Sequence, residues 1–541
     1  MGTSTVEANR RLDEGRPRDT VALWHVRPGV PDRRLTYPEF EELVERTAAA
    51  LSRTGIRKGT RVALMSPVGV DFIALNLALP RLGAVPVEVE RQIGADAVAR
   101  VLANFEPQAF IGDAEVQRQR LENGWARDSI RTAVTVGPEP VDEEPTLDGL
   151  RAEAASDPIP EPVTLDKDDL ARILTTSGST GTPKGVAWSW EAQQYFNRLI
   201  SGGQDMSGET FLAVLHWNLP GVFAAGGTVV FLGDGFDPEQ LAPEVIIETI
   251  RQFAVTALML PPAVLDQLSR YCVENGVVLD GVKRVGGGGA TVNPEIIARM
   301  RRCLPEDADV LVGYGATESI GISMIESREI IAERGATDRG AGVCVGSPLD
   351  LTVRAIRISD DPVREWTDEL VVPAGTVGEI TVKGPSVSKL YVGNPEATAL
   401  AKIPDGDRVW HRTGDLGWFD DRGRIWLCGR KADRVQTSDG DLYTDQVEPI
   451  FDTIDGVRRS ALVGLGAAPN QVPVLIIESV TEPGSSDRDR ITAEVHRLAA
   501  EFPQTKDIQR VLFHPQFPTD YRHNSKIRRN LLAAWAADQP A

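Results

Sequence analysis

The stretch RILTTSGSTGTPKG, residues 172–185, joins a short β-forming run to a loop of glycine, serine and threonine. Glycines let a backbone approach an anion closely, hydroxyl groups and turn amides donate hydrogen bonds, and Lys184 adds positive charge. The pattern predicts a phosphate-binding loop, although an ordinary Ser/Gly connection is the alternative. No Gly-Lys-Ser/Thr follows a four-residue spacer, which argues against a Walker A kinase or GTPase. The predicted ligating residues are Thr176, Ser177, Gly178, Ser179, Thr180, Gly181 and Lys184.

Short β-forming runs alternate with longer amphipathic segments on both sides of this loop. Thr36 and Glu39 form a capping-box pattern that predicts a helix through Leu51. The next segments are typical of strand, helix and strand at 61–65, 71–82 and 85–89. This alternation continues to about residue 312 and predicts an α/β fold in which helices cover mainly parallel sheets.

Changes in composition suggest how the chain is divided. A Pro-, Asp- and Glu-rich piece, residues 138–169, is predicted to be a surface connection. After residue 370 the chain becomes a series of Gly-punctuated β-type segments, followed by a compact tail of strand-type and helix-type runs. We predict a large N-terminal domain with a β-rich part, residues 1–430, and a small α+β C-terminal domain, residues 431–541.

Composition and charge exclude several classes of protein. The 541 residues are 42% hydrophobic and 25% charged, as in folded globular proteins, and their net charge of −20 disfavours nucleic acid and anionic membranes as partners. The four cysteines lack the CxxC spacing of zinc sites and disulfide frameworks. The N-terminus has no signal-like apolar run, and polar residues interrupt the most apolar stretch, residues 211–232. We predict a cytoplasmic protein without a membrane span.

A set of motifs follows the loop in a fixed order along the chain. In chain order the motifs are the loop at 175–185, Gly286-Gly287-Gly288-Gly289-Ala290, Gly313-Tyr314-Gly315-Ala316-Thr317-Glu318, Gly378-Glu379-Ile380, Arg412-Thr413-Gly414-Asp415, Gly429-Arg430 and Lys526. This ordered set resembles the adenylate-forming superfamily of acyl-CoA synthetases, peptide-synthetase adenylation domains and luciferases. The resemblance covers about residues 30–530 and implies ATP binding, activation of a carboxylic acid as its acyl-adenylate, and a C-terminal lid domain.

The glycine run at 286–289 would give an adenine ring a flat backbone surface, with Tyr314 on the other face of the ring. In the superfamily these segments hold adenine. Besides the loop, the residues assigned to the nucleotide are Gly288, Gly289, Ala290, Tyr314, Gly315, Thr317, Asp415 and Arg430.

Thr317 and Glu318 are predicted to follow a tight Gly-Tyr-Gly turn and to offer a phosphate donor and a carboxylate for Mg²⁺. An isolated Glu is more often a solvated surface residue, and only the surrounding motif favours the metal. Asp415 is suited to accept from both ribose hydroxyls, with a turn Asp as the alternative. Arg430 matches the superfamily arginine that also reaches the ribose; on its own it would be a structural salt-bridge partner.

Two further residues complete the predicted catalytic set of Lys526, His216, Thr317 and Glu318. By resemblance, Lys526 bridges the substrate carboxylate and the α-phosphate, where its charge would stabilise the transition state. A solvated basic tail is the alternative. His216 matches the superfamily position beside the reacting carboxylate and is a candidate base, since imidazole titrates in a useful range. A hydrogen-bonded core histidine is the alternative.

Six further segments lie outside or extend beyond the shared motifs, at residues 106–112, 124–127, 410–412, 426–431, 442–451 and 521–527. These segments are similar to the β-lactone synthetase branch of bacterial long-chain olefin biosynthesis. That branch activates a β-hydroxy acid with ATP and closes a four-membered lactone with loss of AMP. Ala432, Asp441 and Gln446 depart from the residues common in thioester-forming relatives, which puts a thiol-dependent second step in doubt.

We therefore predict an ATP- and Mg²⁺-dependent ligase that adenylates a β-hydroxy carboxylic acid and cyclises the product to a β-lactone. One alternative is an acyl-CoA or acyl-carrier-protein ligase with the same intermediate. Another is a catalytically silent nucleotide or acyl sensor. That alternative is disfavoured by the joint presence of Thr317, Glu318, Asp415 and Lys526. The expected partners are a small-molecule acid and other pathway enzymes, with no nucleic acid.

Overall fold

The structure is a computed structural model that describes residues 11–89, 93–176, 183–214, 216–233, 236, 241–288, 293–519 and 527–540. Its strands are β1 (Val21–Arg27), β2 (Val30–Thr36), β3 (Arg61–Met65), β4 (Val85–Glu88), β5 (Ala109–Asp113), β6 (Thr132–Val136), β7 (Leu170–Thr176), β8 (Lys184–Ser189), β9 (Thr210–Ala213), β10 (Thr228–Leu232), β11 (Ala257–Leu260), β12 (Arg284–Gly287), β13 (Asp309–Ala316), β14 (Ser319–Glu326), β15 (Val343–Cys344), β16 (Ser347–Pro348), β17 (Thr352–Ile356), β18 (Gly378–Lys383), β19 (Tyr391–Val392), β20 (Lys402–Asp405), β21 (Arg408–Phe419), β22 (Ile425–Arg430), β23 (Val435–Thr437), β24 (Gly440–Leu442), β25 (Val457–Leu465), β26 (Val472–Ser479) and β27 (Arg510–Phe513).

The helices cover the faces of the sheets. They are α1 (Tyr37–Arg53), α2 (Val70–Arg81), α3 (Ala95–Phe105), α4 (Ala114–Asn123), α5 (Leu147–Glu153), α6 (Trp190–Ser201), α7 (Leu219–Ala224), α8 (Pro243–Phe253), α9 (Pro262–Asn275), α10 (Pro294–Arg302), α11 (Ser327–Thr337), α12 (Pro395–Ala401), α13 (Thr444–Phe451), α14 (Ser485–Glu501) and α15 (Arg529–Ala537). No helix among the described residues is both long and apolar enough to cross a membrane.

Two sheets with parallel centres form the larger part of the fold. Within the described residues, one has nine strands in the order β16-β14-β13-β12-β11-β9-β10-β1-β2 and is parallel from β13 to β1. The other has seven strands in the order β19-β8-β7-β4-β3-β5-β6 and is parallel from β7 to β6. The predicted α/β class with mainly parallel sheets is confirmed.

A continuous apolar core joins the two sheets through α1, α2 and α7. Phe40 of α1 packs against Phe223 of α7 with ring centroids 4.8 Å apart, and both side chains are buried. The predicted capping box starts α1, because the Thr36 hydroxyl accepts from Glu39 N and the Glu39 carboxylate accepts from Thr36 N. The helix continues to Arg53, two residues beyond the predicted end.

The piece at 138–169 is not a purely exposed connection. It contains the short helix α5, capped by the Thr146 side chain, which accepts from Gly149 N. Leu147 and Leu150 of this helix are buried in the same core as α1. Proline and acidic residues around the helix made the segment resemble a linker, although its two leucines are sufficient to anchor it.

The β-rich part and the tail are antiparallel or mixed. The described portion of the β-rich part is a six-stranded sheet, β15-β22-β21-β18-β17 with β20 paired to β21. In the tail, β25, β26 and β27 form a small sheet that packs with α13, α14 and α15. A Cβ on Gly429 would collide with Thr444 of α13, so glycine at 429 allows the tail to pack directly on β22. The predicted domain boundary at residue 430 stays a prediction.

Candidate active site

The predicted adenine contact Tyr314 and the predicted ribose contacts Asp415 and Arg430 lie together where two sheets meet. Tyr314 is on β13, whereas Asp415 and Arg430 are direct partners in the register of β21 and β22. The Tyr314 hydroxyl donates to Asp415 Oδ2 at 2.7 Å, and Arg430 Nε lies 3.0 Å from Asp415 Oδ1. Burial and the Asp415 carboxylate raise the pKa of Tyr314, and the same carboxylate raises the pKa of Arg430. Asp415 is therefore held between the Tyr314 hydroxyl and the Arg430 guanidinium.

The glycines at the end of β12, the strand next to that of Tyr314, present backbone without side chains. Gly286 and Gly287 pair in parallel with Leu311 and Val312. A Cβ on Gly288 would lie 3.3 Å from the Gly313 carbonyl oxygen, close enough that a side chain there would press on β13. The described part of the run therefore has the flat backbone expected of a surface for a planar base.

The predicted Gly-Tyr-Gly turn is wrong. Residues 313–315 continue β13, and the turn of the β13–β14 hairpin is Thr317-Glu318 itself. A Cβ on Gly315 would lie 3.0 Å from Gly321 N and 3.1 Å from Ser319 O. Glycine at this position therefore allows β13 and β14 to approach each other closely. The hairpin places Thr317 and Glu318 at its tip.

Neighbouring elements hold this hairpin tip in place. The Trp188 indole donates to Thr317 O at 2.7 Å, and Ser388 N donates to Glu318 O at 2.8 Å. The Tyr391 hydroxyl donates to Glu318 Oε1 at 2.7 Å. The first two contacts fix the main chain of the hairpin tip, and the third orients the Glu318 carboxylate. Sequence reasoning assigned no role to Trp188, Ser388 or Tyr391.

Two lysines lie on the ring of Tyr391, close to this carboxylate. Lys184 Nζ is 5.1 Å and Lys402 Nζ is 5.6 Å from the ring centroid. Lys402 is buried, donates to Ser388 Oγ at 3.0 Å, and pairs across β20 and β21 with His411. Burial lowers the pKa of Lys402 to about 7, against the opposing effect of Glu318; burial and Lys402 hold the pKa of His411 well below its usual range.

Glu318 is suited to a Mg²⁺ ion that is shared with phosphate groups. In the part of the chain that the structure describes, no cluster of three or more His, Cys, Asp or Glu side chains forms a metal cage. Mg²⁺ in nucleotide enzymes is usually bound by one or two carboxylates, substrate phosphates and water. A single oriented carboxylate beside Lys184 fits that donor set.

His216 belongs to a second polar cluster. It lies in a 3₁₀ turn, His216–Asn218, that follows the end of β9 at Ala213. Its Nε2 is 3.0 Å from Glu88 Oε2, and its ring meets Phe72 edge to face at 4.7 Å. Arg172 Nη1 donates to Glu88 Oε1 at 3.2 Å. Sequence reasoning missed Glu88 and Arg172.

Several predicted site residues lie outside the described residues. For these the assigned roles stay predictions from the sequence. They are Ser177, Gly178, Ser179, Thr180, Gly181, Gly289, Ala290 and Lys526.

Comparison with known proteins agrees with the predicted motifs. A family model described as AMP-binding enzyme matches residues 10–392. The chain is 41% identical to an olefin beta-lactone synthetase from Stenotrophomonas maltophilia, over 522 residues that span 94% of this chain and 92% of the relative. It is 28% identical to a 4-chlorobenzoate–CoA ligase from an Arthrobacter species, again over 94% of this chain and 92% of the relative.

Among solved structures, the amide bond synthetase McbA from Marinactinospora thermotolerans superposes with a TM-score of 0.78. The alignment covers 99% of this chain and 100% of McbA at 24% identity, so it supports the fold. The family model and the olefin beta-lactone synthetase extend the agreement to sequence. The chain therefore belongs to the AMP-binding enzyme family and is an ATP-dependent adenylate-forming ligase.

Proposed function

We propose that this enzyme adenylates a β-hydroxy carboxylic acid and then cyclises the acyl-AMP to a β-lactone. Adenylation rests on one observation: the Tyr314 hydroxyl of β13 donates to Asp415, and Glu318 lies at the tip of the hairpin that β13 forms. The proposed ribose acceptor and the candidate metal carboxylate therefore lie beside the same strand. The choice of a β-hydroxy acid is supported by the 41% identity to the olefin beta-lactone synthetase.

In the first step a carboxylate oxygen of the acid attacks the α-phosphorus of ATP. The bond from that phosphorus to the bridging oxygen breaks, and pyrophosphate leaves. Asp415 accepts from the ribose, Tyr314 borders the base, and Lys184 and Lys526 neutralise charge on the phosphates and the carboxylate. Glu318 would hold Mg²⁺, which when bound supplies further charge neutralisation at the phosphates.

In the second step the β-hydroxyl oxygen attacks the acyl carbonyl carbon. The bond from this carbon to the AMP oxygen breaks, AMP leaves, and the hydroxyl proton passes to a base, for which we propose His216. Because the hydroxyl is tethered to the activated carbonyl, effective molarities of order 10⁵ M offset the strain of the small ring. An external nucleophile is not required.

Asp441, which follows the predicted domain boundary, supports a reaction without a thiol. Asp441 stands where thioester-forming relatives commonly carry an arginine, and its carboxylate lies 3.2 Å from Arg434 Nε. A carboxylate at that position disfavours the phosphates of CoA. An acyl-CoA or carrier-protein ligase remains the second candidate function, supported by the less similar 4-chlorobenzoate–CoA ligase.

We also propose that the reaction occurs in the cytoplasm, where ATP is available. All four cysteines are buried free thiols, as expected in a reducing compartment. Other enzymes must supply the β-hydroxy acid and consume the lactone, and we propose them as pathway partners.

Mass spectrometry of the products tests this proposal. The purified enzyme is given Mg·ATP and β-hydroxy acids of several chain lengths, with and without CoA. We expect lactone and AMP in both arms. The matched acid without the hydroxyl group should give acyl-AMP and pyrophosphate but no lactone. Acyl-CoA as the only acyl product would overturn lactone formation, and no ATP consumption with any acid would overturn the function as a whole.

A further inference from the structure

Glu88 connects two side chains that belong to different parts of the fold. It ends β4 of the seven-stranded sheet, beside Arg172 of β7, while His216 follows β9 of the nine-stranded sheet. One carboxylate oxygen lies 3.0 Å from His216 Nε2, and the other accepts from Arg172 Nη1 at 3.2 Å. The Arg172 side chain is 5% exposed, and that of Glu88 is 14% exposed.

We propose that Glu88 is the positioning residue that orients His216 as the base for lactone closure, and that Arg172 holds Glu88 in place. This inference rests on the proposed function. Glu88 does not contact the reacting atoms and acts through the histidine.

The hydrogen bond decides which ring nitrogen is available. A carboxylate accepts hydrogen bonds, so the proton of neutral His216 is on Nε2, and this N–H donates a hydrogen bond to Glu88. The lone pair is then on Nδ1, to which no described residue makes a hydrogen bond. During closure the β-hydroxyl proton moves to Nδ1 as the carbon–oxygen bond forms and AMP departs. The resulting imidazolium donates from Nε2 to a negatively charged partner, which stabilises it.

The Arg172 guanidinium explains how the largely buried Glu88 side chain can act as a carboxylate that accepts a hydrogen bond. A buried carboxylate without a cation would favour its neutral form, whereas the guanidinium favours the charged form. Phe72 makes a T-shaped contact with the His216 ring, with ring centroids 4.7 Å apart, which restricts rotation of the imidazole. The histidine is therefore held by a hydrogen bond and by packing.

The test separates the two half-reactions in single-turnover experiments with a substrate that wild-type enzyme converts to lactone. For Glu88→Gln we expect pyrophosphate release within about threefold of wild type and lactone closure slowed roughly 10- to 100-fold, as part of the benefit of general base catalysis is lost. Acyl-AMP should accumulate. In a His216→Ala background, the same Glu88→Gln change should have almost no further effect on closure.

Glu41→Gln provides the matched control. Glu41 is also a buried carboxylate paired with arginine, since Arg81 Nη1 donates to it at 2.7 Å, but the carboxylate that contacts His216 is Glu88. We expect it to lower thermal stability without changing the ratio of closure to adenylation. If Glu88→Gln does not fold, Glu88→Asp keeps the charge beside Arg172 and withdraws it from His216, and closure should again be slowed selectively.

Two results would overturn the inference while leaving the proposed function intact. One is equal slowing of both half-reactions by Glu88→Gln or Glu88→Asp. The other is an undiminished Glu88→Gln effect on closure in the His216→Ala background. Failure of the proposed function is distinct, because wild-type enzyme would then form no lactone from any β-hydroxy acid.

Discussion

Tyr314 and Asp415 lie on different sheets, yet the tyrosine hydroxyl donates to the aspartate at 2.7 Å. This hydrogen bond joins β13, which borders the glycine run, to β21, where Asp415 is in register with Arg430 of β22. It therefore brings the predicted adenine and ribose contacts into one site.

Asp415→Asn should weaken ATP binding while leaving the fold intact. The amide retains an acceptor but loses the charge that pairs with Arg430, and hydrogen bonds to charged groups contribute about 1.5–3 kcal/mol. We expect the Kd for ATP, measured by calorimetry, to rise roughly 10- to 100-fold. Asp405→Asn is the control, because Asp405 pairs with Lys383 in the same sheet. Unchanged ATP affinity in Asp415→Asn would exclude this residue from nucleotide binding.

Tyr391→Phe should change the response to Mg²⁺. The variant keeps the ring beside Lys184 and Lys402 but removes the hydroxyl that holds Glu318 Oε1. A less well oriented carboxylate binds a cation more weakly, so the Mg²⁺ concentration for half-maximal pyrophosphate release should rise about 3- to 10-fold. An identical Mg²⁺ titration would show that the hydroxyl does not orient a metal ligand.

Lys402→Met should change how stability depends on pH. The pKa of Lys402 is lowered to about 7 in the folded protein, whereas the pKa of an unfolded lysine is about 10.4. Between these values the unfolded chain binds more protons at this site, so wild-type stability gains up to about 1.4 kcal/mol per pH unit as pH rises. The variant lacks this gain. The free energy of unfolding of the variant should exceed that of wild type most below about pH 7, and the difference should shrink towards about pH 10.

Urea denaturation across this pH range measures the free energy of unfolding of both proteins. Lys506→Met replaces an exposed lysine and should follow the wild-type profile in parallel. A constant difference between Lys402→Met and wild type at all pH values would show that Lys402 keeps an ordinary pKa.

Lys526→Ala should abolish pyrophosphate release while leaving ATP binding largely unchanged. The lysine is predicted to act on charge that develops at the α-phosphate during adenylation, which the bound ground state lacks. Pyrophosphate release and ATP binding are measured on the same preparation, with Lys506→Ala as the control. Loss of both activities together would indicate a structural lysine.

The sequence predicted those features that depend on local pattern. The capping box at Thr36 and strand β3 are confirmed, because both depend on residues adjacent in the chain. The Gly-Tyr-Gly turn was wrong, since glycine at 315 serves the close approach of β14, a neighbour that only the folded hairpin supplies.

The side chains that support the site could not be predicted for a related reason. Glu88 and His216 are 128 positions apart, and Tyr391 and Glu318 are 73 apart. Their contacts depend on how two sheets and a hairpin are placed in space. A carboxylate at the end of an apolar strand was the only local signal for Glu88, and strand ends carry such residues for many reasons.

Isotope tracing tests the order of bond changes most directly. A β-hydroxy acid labelled with ¹⁸O in both carboxylate oxygens is converted by Mg·ATP and enzyme without any thiol. We expect AMP that carries one labelled oxygen and a lactone that retains one label in its carbonyl, with the unlabelled hydroxyl oxygen in the ring. Unlabelled AMP, or no AMP until CoA is added, would contradict it.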